Sequence, residues 1–232
     1  MKKIVIASDS FKGSVSSMEV AASAERAVRQ VFPQCQVVKL PVADGGEGLV
    51  NALMQAFGGR YVECMAPDPL MEGYVHVEYG FLPDTKTAVI EMATVCGLPL
   101  VPPEKRNPMR ASTYGLGKVI HDALLRGCRN FLIGIGGSAT NDAGTGMLQA
   151  LGFRFLDREG QELGQGGSIL EQIHTIDASK MKPWLRKARF TIACDVDNPL
   201  SGPDGAACIF ARQKGADDAM IQALDRGLKN FA

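Results

Sequence analysis

Apolar residues along this chain come in short bursts separated by polar, glycine-bearing loops, and the period of each burst predicts an element. Ile4-Val5-Ile6-Ala7 is a compact run that reads as a buried strand. Ser16 and Glu19 stand at capping-box spacing, and Val20, Ala24, Ala27, Val28 and Val31 then recur at helical period until Pro33. Gln36 to Leu40 predicts a second strand. Leu49, Val50, Leu53, Met54 and Phe57 mark one side of a second helix, ended by Gly58-Gly59. This βαβα order is the opening of a parallel sheet covered by helices.

Near residue 60 the pattern changes. Val75, Val77, Tyr79 and Phe81 alternate at period two, Pro83-Asp84 turns the chain, and Thr87 to Met92 is again strand-like. An antiparallel hairpin and a second, mixed unit follow from this. The expected division is therefore 1–60, the first part of a Rossmann-like α/β domain, and 61–232, a mixed α/β domain with hairpins. Pro99 to Pro108 predicts a surface connection, and Thr113 to Arg126 a helix with Leu116, Val119, Ile120, Ala123 and Leu124 inward. Phe153 to Leu163 predicts a hairpin about Asp157-Arg158-Glu159-Gly160. Phe190 to Ala193 reads as a buried strand ending at Cys194-Asp195-Val196-Asp197.

Composition narrows the class without naming a chemistry. The 232 residues are 46% hydrophobic and 22% charged, values of an ordinary globular chain with a sizeable core. A formal net charge of zero offers nothing for nucleic acid or an anionic membrane surface. No apolar run approaches the roughly 20 residues that span a bilayer, and the start MKKIVIASDS reads as a strand and not as a signal peptide. Six cysteines are scattered without CxxC spacing, as expected of reduced thiols in a cytoplasmic protein.

The chemistry lies in the loops. Phe131 to Leu151 reads FLIGIGGSATNDAGTGMLQAL: strand, glycine-rich polar loop, amphipathic helix. Glycines let backbone N–H groups approach a ligand, and a helix N-terminus behind them adds partial positive charge, which together predict an anion cradle. Gly136, Gly137, Ser138 and Thr140 are its candidate contacts. Two further loops share the design, DSFKGS after the first strand and ADGGEG after the second, and the latter adds Asp44, Gly45 and Gly46. In open α/β sheets such loops gather at the carboxyl ends of the strands, where ligands bind. Lys12 reaches a phosphate as a point charge or is an ordinary solvated lysine. Asp9, Asp44, Asp142, Asp195 and Asp197 all follow strands, as Mg²⁺ contacts, proton acceptors, or caps and turn formers. His76, His121 and His174 read as surface or packing residues. Gly134-x-Gly136-x-x-Ala139 also matches a loose dinucleotide fingerprint, with Asp157 roughly 20 residues on. That alternative, an NAD(P)-dependent oxidoreductase, requires Asp157 to end a strand beside Phe131–Ile135.

Four segments together resemble one family: IVIASDSFKGSVSSMEVA, VADGGEG, GIGGSATNDAGTGMLQALG and CDVDNPLSGPDGAACIFARQKGA. They look like the type I glycerate kinases, occur in family order, and span Ile4 to Ala216. The resemblance implies a two-domain α/β fold with the active site in the cleft between its parts. It implies phosphoryl transfer from ATP·Mg²⁺ to a hydroxyl of D-glycerate, giving 2-phosphoglycerate, in sugar-acid catabolism; beside it stand the expectations of a cytoplasmic protein, from its thiols, and of a chain compatible with a homo-oligomer. Within that frame Lys12 stabilises transferred charge, and Asp195 or Asp197 is the hydroxyl base, with Asp195 also the metal contact. Members of the family continue well past the point where this sequence stops. The chain is therefore expected to lack the segments that complete the Rossmann-like half, so a catalytically inactive shortened homologue is the further alternative.

Overall fold

The computed structural model describes residues 3–9, 11, 14–42, 46 and 48–232. In chain order the strands are β1 (Lys3–Ser8), β2 (Gln36–Pro41), β3 (Arg60–Pro67), β4 (Tyr74–Leu82), β5 (Thr87–Glu91), β6 (Asn130–Gly134), β7 (Arg154–Leu156), β8 (Thr175–Asp177) and β9 (Arg189–Ala193). The helices are α1 (Ser17–Val31), α2 (Leu49–Phe57), α3 (Ala93–Cys96), α4 (Tyr114–Leu125), α5 (Thr145–Ala150), α6 (Ala206–Phe210) and α7 (Asp218–Phe231). None is long and apolar enough to cross a membrane.

The predicted strand–helix–strand opening forms. β1 and β2 pair in parallel, Ile4 opposite Val37 and Val5 opposite Val38, with α1 in the crossover. The capping box forms: Ser16 N–H donates to Glu19 Oε2 at 2.8 Å, and Glu19 N–H donates back to Ser16 Oγ at 3.3 Å. Its apolar positions are poorly covered, however. Val5, Leu40 and Val31 are 52%, 49% and 69% exposed, and Ala21 is the helix's buried residue.

A five-stranded sheet, ordered β3-β4-β5-β6-β9, carries the larger core. Its first three strands are antiparallel and β5, β6 and β9 run parallel. The period-two residues of β4 point one way, so Val77 and Tyr79 are fully buried against Ile120, Leu124 and Phe131. Each such side chain withdrawn from water stabilises by about 1.5–3 kcal/mol. The Tyr79 hydroxyl, buried with its ring, donates to Asp122 Oδ2 at 2.8 Å, and Arg126 completes the group through the same carboxylate. On the other face lies α2, whose Leu49, Val50 and Met54 meet Val89 and Leu132. A third cluster joins α6 and α7 around Leu170, Ala211, Leu224 and Leu228.

Three details depart from the sequence reading. β3 forms a full strand along β4, although its residues alternate too weakly to announce it. β9 is not buried: it lies at the sheet edge, paired through β6, so Phe190 and Ile192 are 42% and 50% exposed. The hairpin about Asp157–Gly160 forms, with Leu156 opposite Glu162 and Gly160 N–H donating to the Asp157 carbonyl; what departs is β8, unannounced by the sequence, which pairs with β7 on its other side.

Candidate functional site

The parallel strands decide where the loops meet. Glu91, Gly134 and Ala193 stand side by side at the carboxyl ends of β5, β6 and β9. The segment 92–98, the loop 135–144 and the loop 194–205 leave from that edge together. The start of α2 joins them, because Val50 N–H donates to Glu91 Oε1 at 2.8 Å. Glu91 is 7% exposed and ties the first turn of α2 to the sheet. Sequence reasoning missed it, since it closes an apolar run and its partner is 41 residues away. A cavity of about 420 Å³ lined by Arg60, Tyr61, Phe81 and Arg126 lies at the opposite sheet edge, remote from these loops.

The 135–144 loop is held open by backbone bonds. Met92 N–H donates to the Gly134 carbonyl (2.8 Å), Leu98 N–H to Gly137 (2.9 Å), and Ala139 N–H to Cys96 (2.8 Å). Gly137 takes φ +71°, a left-handed turn that a side chain would strain. The amides of Gly136, Gly137 and Ser138 have no protein acceptor among the described residues. N–H groups left without partners in a glycine-bearing loop suit an oxyanion.

The predicted contribution of the following helix is corrected. α5 has only six residues, and its first turn is already occupied. Asp142, 1% exposed, accepts from Gly144 N–H (3.1 Å), Gly146 N–H (3.3 Å), and both the N–H and hydroxyl of Thr113 (2.8 Å each). Met147 N–H is taken by Thr113 Oγ1 at 2.9 Å. An internal carboxylate therefore neutralises the helix end that was expected to attract a ligand. Burial pushes the Asp142 carboxyl above the ordinary aspartate range, against the bonds from Thr113, Gly144 and Gly146 that favour its charge. Its role is to shape the loop.

Positive charge reaches the loop from elsewhere. Lys214, in the short turn Arg212–Lys214, is 8% exposed; its Nζ donates to the Thr140 carbonyl (2.6 Å) and to Ser138 Oγ (2.9 Å). Burial lowers its pKa to about 8, with Asp142 acting in the other direction. Lys214 was not singled out from the sequence, where it stands among Arg212, Gln213 and Gly215 and looks solvated.

Of the predicted residues, Gly136, Gly137 and Ser138 line the sheet edge, while Thr140 is 4% exposed and turns its carbonyl to Lys214. Gly46 is buried just ahead of α2. Lys12, Asp44 and Gly45 lie outside the described residues. Asp195 and Asp197 follow β9 and are exposed, with no hydrogen bond or ion pair among the described residues. The loop beyond them is shaped by Asn198 Nδ2 to the Asp204 carbonyl (2.9 Å) and Gly202 N–H to Asp225 Oδ1 (2.6 Å). Among the described residues no group of three or more His, Cys, Asp or Glu side chains could hold a metal ion, so Asp195 and Asp197 could supply at most the one or two carboxylates that Mg²⁺ takes when water and phosphate complete its shell.

The dinucleotide reading is overturned. β6 is flanked by β5 and β9, and Asp157 sits in a tight turn on a separate two-stranded sheet. His76 pairs with Glu63 at 3.3 Å and His121 rests near Trp184, in keeping with surface and packing roles.

Comparison with known proteins adds an independent line. The sequence model described as "Glycerate kinase family" matches residues 4–232. "Glycerate kinase" of Bacillus subtilis (strain 168) is 50% identical over 230 residues, 99% of this chain and 60% of that protein. "Glycerate 2-kinase" of Escherichia coli (strain K12) is 49% identical, again over 99% of this chain and 60% of the relative. A crystal structure assigned as glycerate kinase 2 from Salmonella typhimurium LT2 is similar with a TM-score of 0.87 and 45% identity, over 100% of this chain and 62% of that one. The chain thus spans about 60% of the length of the curated relatives it matches.

Proposed function

The chain belongs to the glycerate kinase family, and from that premise we propose that it transfers the γ-phosphoryl group of ATP to a hydroxyl of D-glycerate, giving 2-phosphoglycerate. The observation that carries this reading is one sheet edge where partnerless amides at Gly136–Ser138 and uncommitted carboxylates at Asp195 and Asp197 leave adjacent strands. Phosphoryl transfer asks a protein mainly for positioning and for charge stabilisation, so these are the parts it needs. Either Asp195 or Asp197 accepts the proton of the attacking hydroxyl, and Asp195 is also the contact for Mg²⁺. The metal, when bound with ATP, would neutralise phosphate charge. Lys12 stabilises the phosphoryl group in transit. Gly136, Gly137, Ser138 and Thr140 form one wall of the cleft, and Asp44, Gly45 and Gly46 are further contacts for the nucleotide.

In domain terms we read residues 1–60 as the opening of a Rossmann-like unit and 61–232 as the mixed unit. α2 lies between them, since it belongs to the first by sequence and packs on the sheet of the second. We further read the protein as cytoplasmic, acting on small molecules without nucleic acid or membrane, and compatible with a homo-oligomer. Coupled measurement of ADP release with D-glycerate tests the activity, and no turnover from well-folded protein refutes it. Single alanine replacements of Lys12, Asp195 and Asp197 test the site. Loss of the base is expected to lower kcat by roughly 100-fold or more, and wild-type turnover in all three variants would refute these assignments.

A further inference from the structure

With Asp142 filling the end of α5, the 135–144 loop has no helix dipole to offer an anion, yet three of its amides await one. Lys214 lies directly beneath. Its ammonium is buried on two neutral acceptors, Ser138 Oγ and the Thr140 carbonyl, and forms no ion pair among the described residues. The negative charge it senses, Asp142, is already saturated by four donors. A buried cation without a matched anion is unfavourable unless something negative completes it. Direction matters too. An ammonium can only donate, so a serine oxygen that accepts from it must send its own proton elsewhere.

We propose that Lys214, acting through Ser138, builds an oxyanion subsite at Gly136–Ser138. The Ser138 hydroxyl and the amides of Gly136, Gly137 and Ser138 donate to one carboxylate or phosphate group. Lys214 holds the hydroxyl in its outward-donating sense and lends the positive charge that α5 does not. Lys214 is thus a positioning residue and does not touch the ligand. The inference rests on the kinase reading for the two possible sources of the oxyanion, the carboxylate of D-glycerate and a phosphate of ATP. The depressed titration of the amine fits, because an arriving anion favours its protonated form.

The test is calorimetric titration of the full chain with D-glycerate, ATP and inorganic phosphate separately, for wild type, Ser138→Ala, Lys214→Met and the double variant, each checked for folding by circular dichroism. Ser138→Ala is expected to weaken the bound oxyanion about tenfold or more, Lys214→Met at least as much, and the double variant no more than Lys214→Met. Loss confined to D-glycerate identifies the carboxylate, and loss confined to ATP identifies the phosphate. In wild type the titration midpoint of Lys214, followed by NMR of its labelled side chain, should rise when the oxyanion saturates. Three results overturn the inference: folded Ser138→Ala binding as tightly as wild type, a Lys214 midpoint that the oxyanion does not move, or wild type binding none of the three. Turnover of D-glycerate with an unmoved Lys214 would sink this inference alone. Oxyanion binding coupled to Lys214 without turnover would sink the kinase reading alone.

Discussion

Lys214 carries its ammonium where little water reaches it, so its protonation is coupled to folding. In the unfolded chain the amine holds its proton up to 10.5, whereas in the folded chain burial releases it at about 8. Below both values the folded protein bears the full penalty of a buried cation, on the order of 3 kcal/mol. Between them the unfolded state binds more protons, so this group's contribution to stability rises with pH. Among the described residues the charge opposing the shift is Asp142. Urea unfolding of wild type and Lys214→Met should therefore show wild type gaining on the variant between pH of about 8 and 10.5, and parallel pH curves would contradict this. None of it was legible in ARQKGA, because burial of Lys214 depends on Ser138 and Thr140, 76 and 74 residues away. Asp142 was half legible. Its place in the loop was plain, but its choice of Thr113 over a ligand needed α4 to be in position.

At the level of elements, α4 against α5 sets the geometry of the loop. Gly117 is the contact point: a Cβ there would stand 2.3 Å from the Met147 carbonyl and 2.6 Å from Ala150 Cβ. Backbone cannot yield as a flexible side chain does, so Gly117→Ala should force the helices apart. A loss of about 1–3 kcal/mol is expected, read as a lower denaturation midpoint at unchanged m-value. Elements whose determinants are local were read correctly. The Ser16–Glu19 box, the β4–β5 hairpin and the inward face of α4 all arise from residues within a few positions of one another. β9 was misjudged for the opposite reason. Phe190 and Ile192 are apolar enough for a central strand, but sheet order alone places them at an edge.

Across the whole molecule, cover is unequal. The five-stranded sheet has helices packed on both faces, whereas β1, β2 and α1 leave Val5, Leu40 and Val31 largely in contact with solvent. Protection of backbone amides follows the free energy of local opening, which grows with buried apolar contact. Hydrogen exchange should thus be fast in β1, β2 and α1 and slowest in β5, β6 and α4, and equal protection in the two units would show that they open as one. The α/β class, the opening βαβα run and the family were legible in the chain alone, because alternation, capping and glycine-bearing loops are local signals written in neighbouring residues. The sequence also marked the loops proposed above to carry chemistry. Only the tertiary structure decided that three parallel strands end together, that Asp142 serves Thr113 and the amides of Gly144 and Gly146, and that Lys214 lies under Ser138. Those outcomes depend on groups far apart in sequence being desolvated in one place, where each must find a partner or await one.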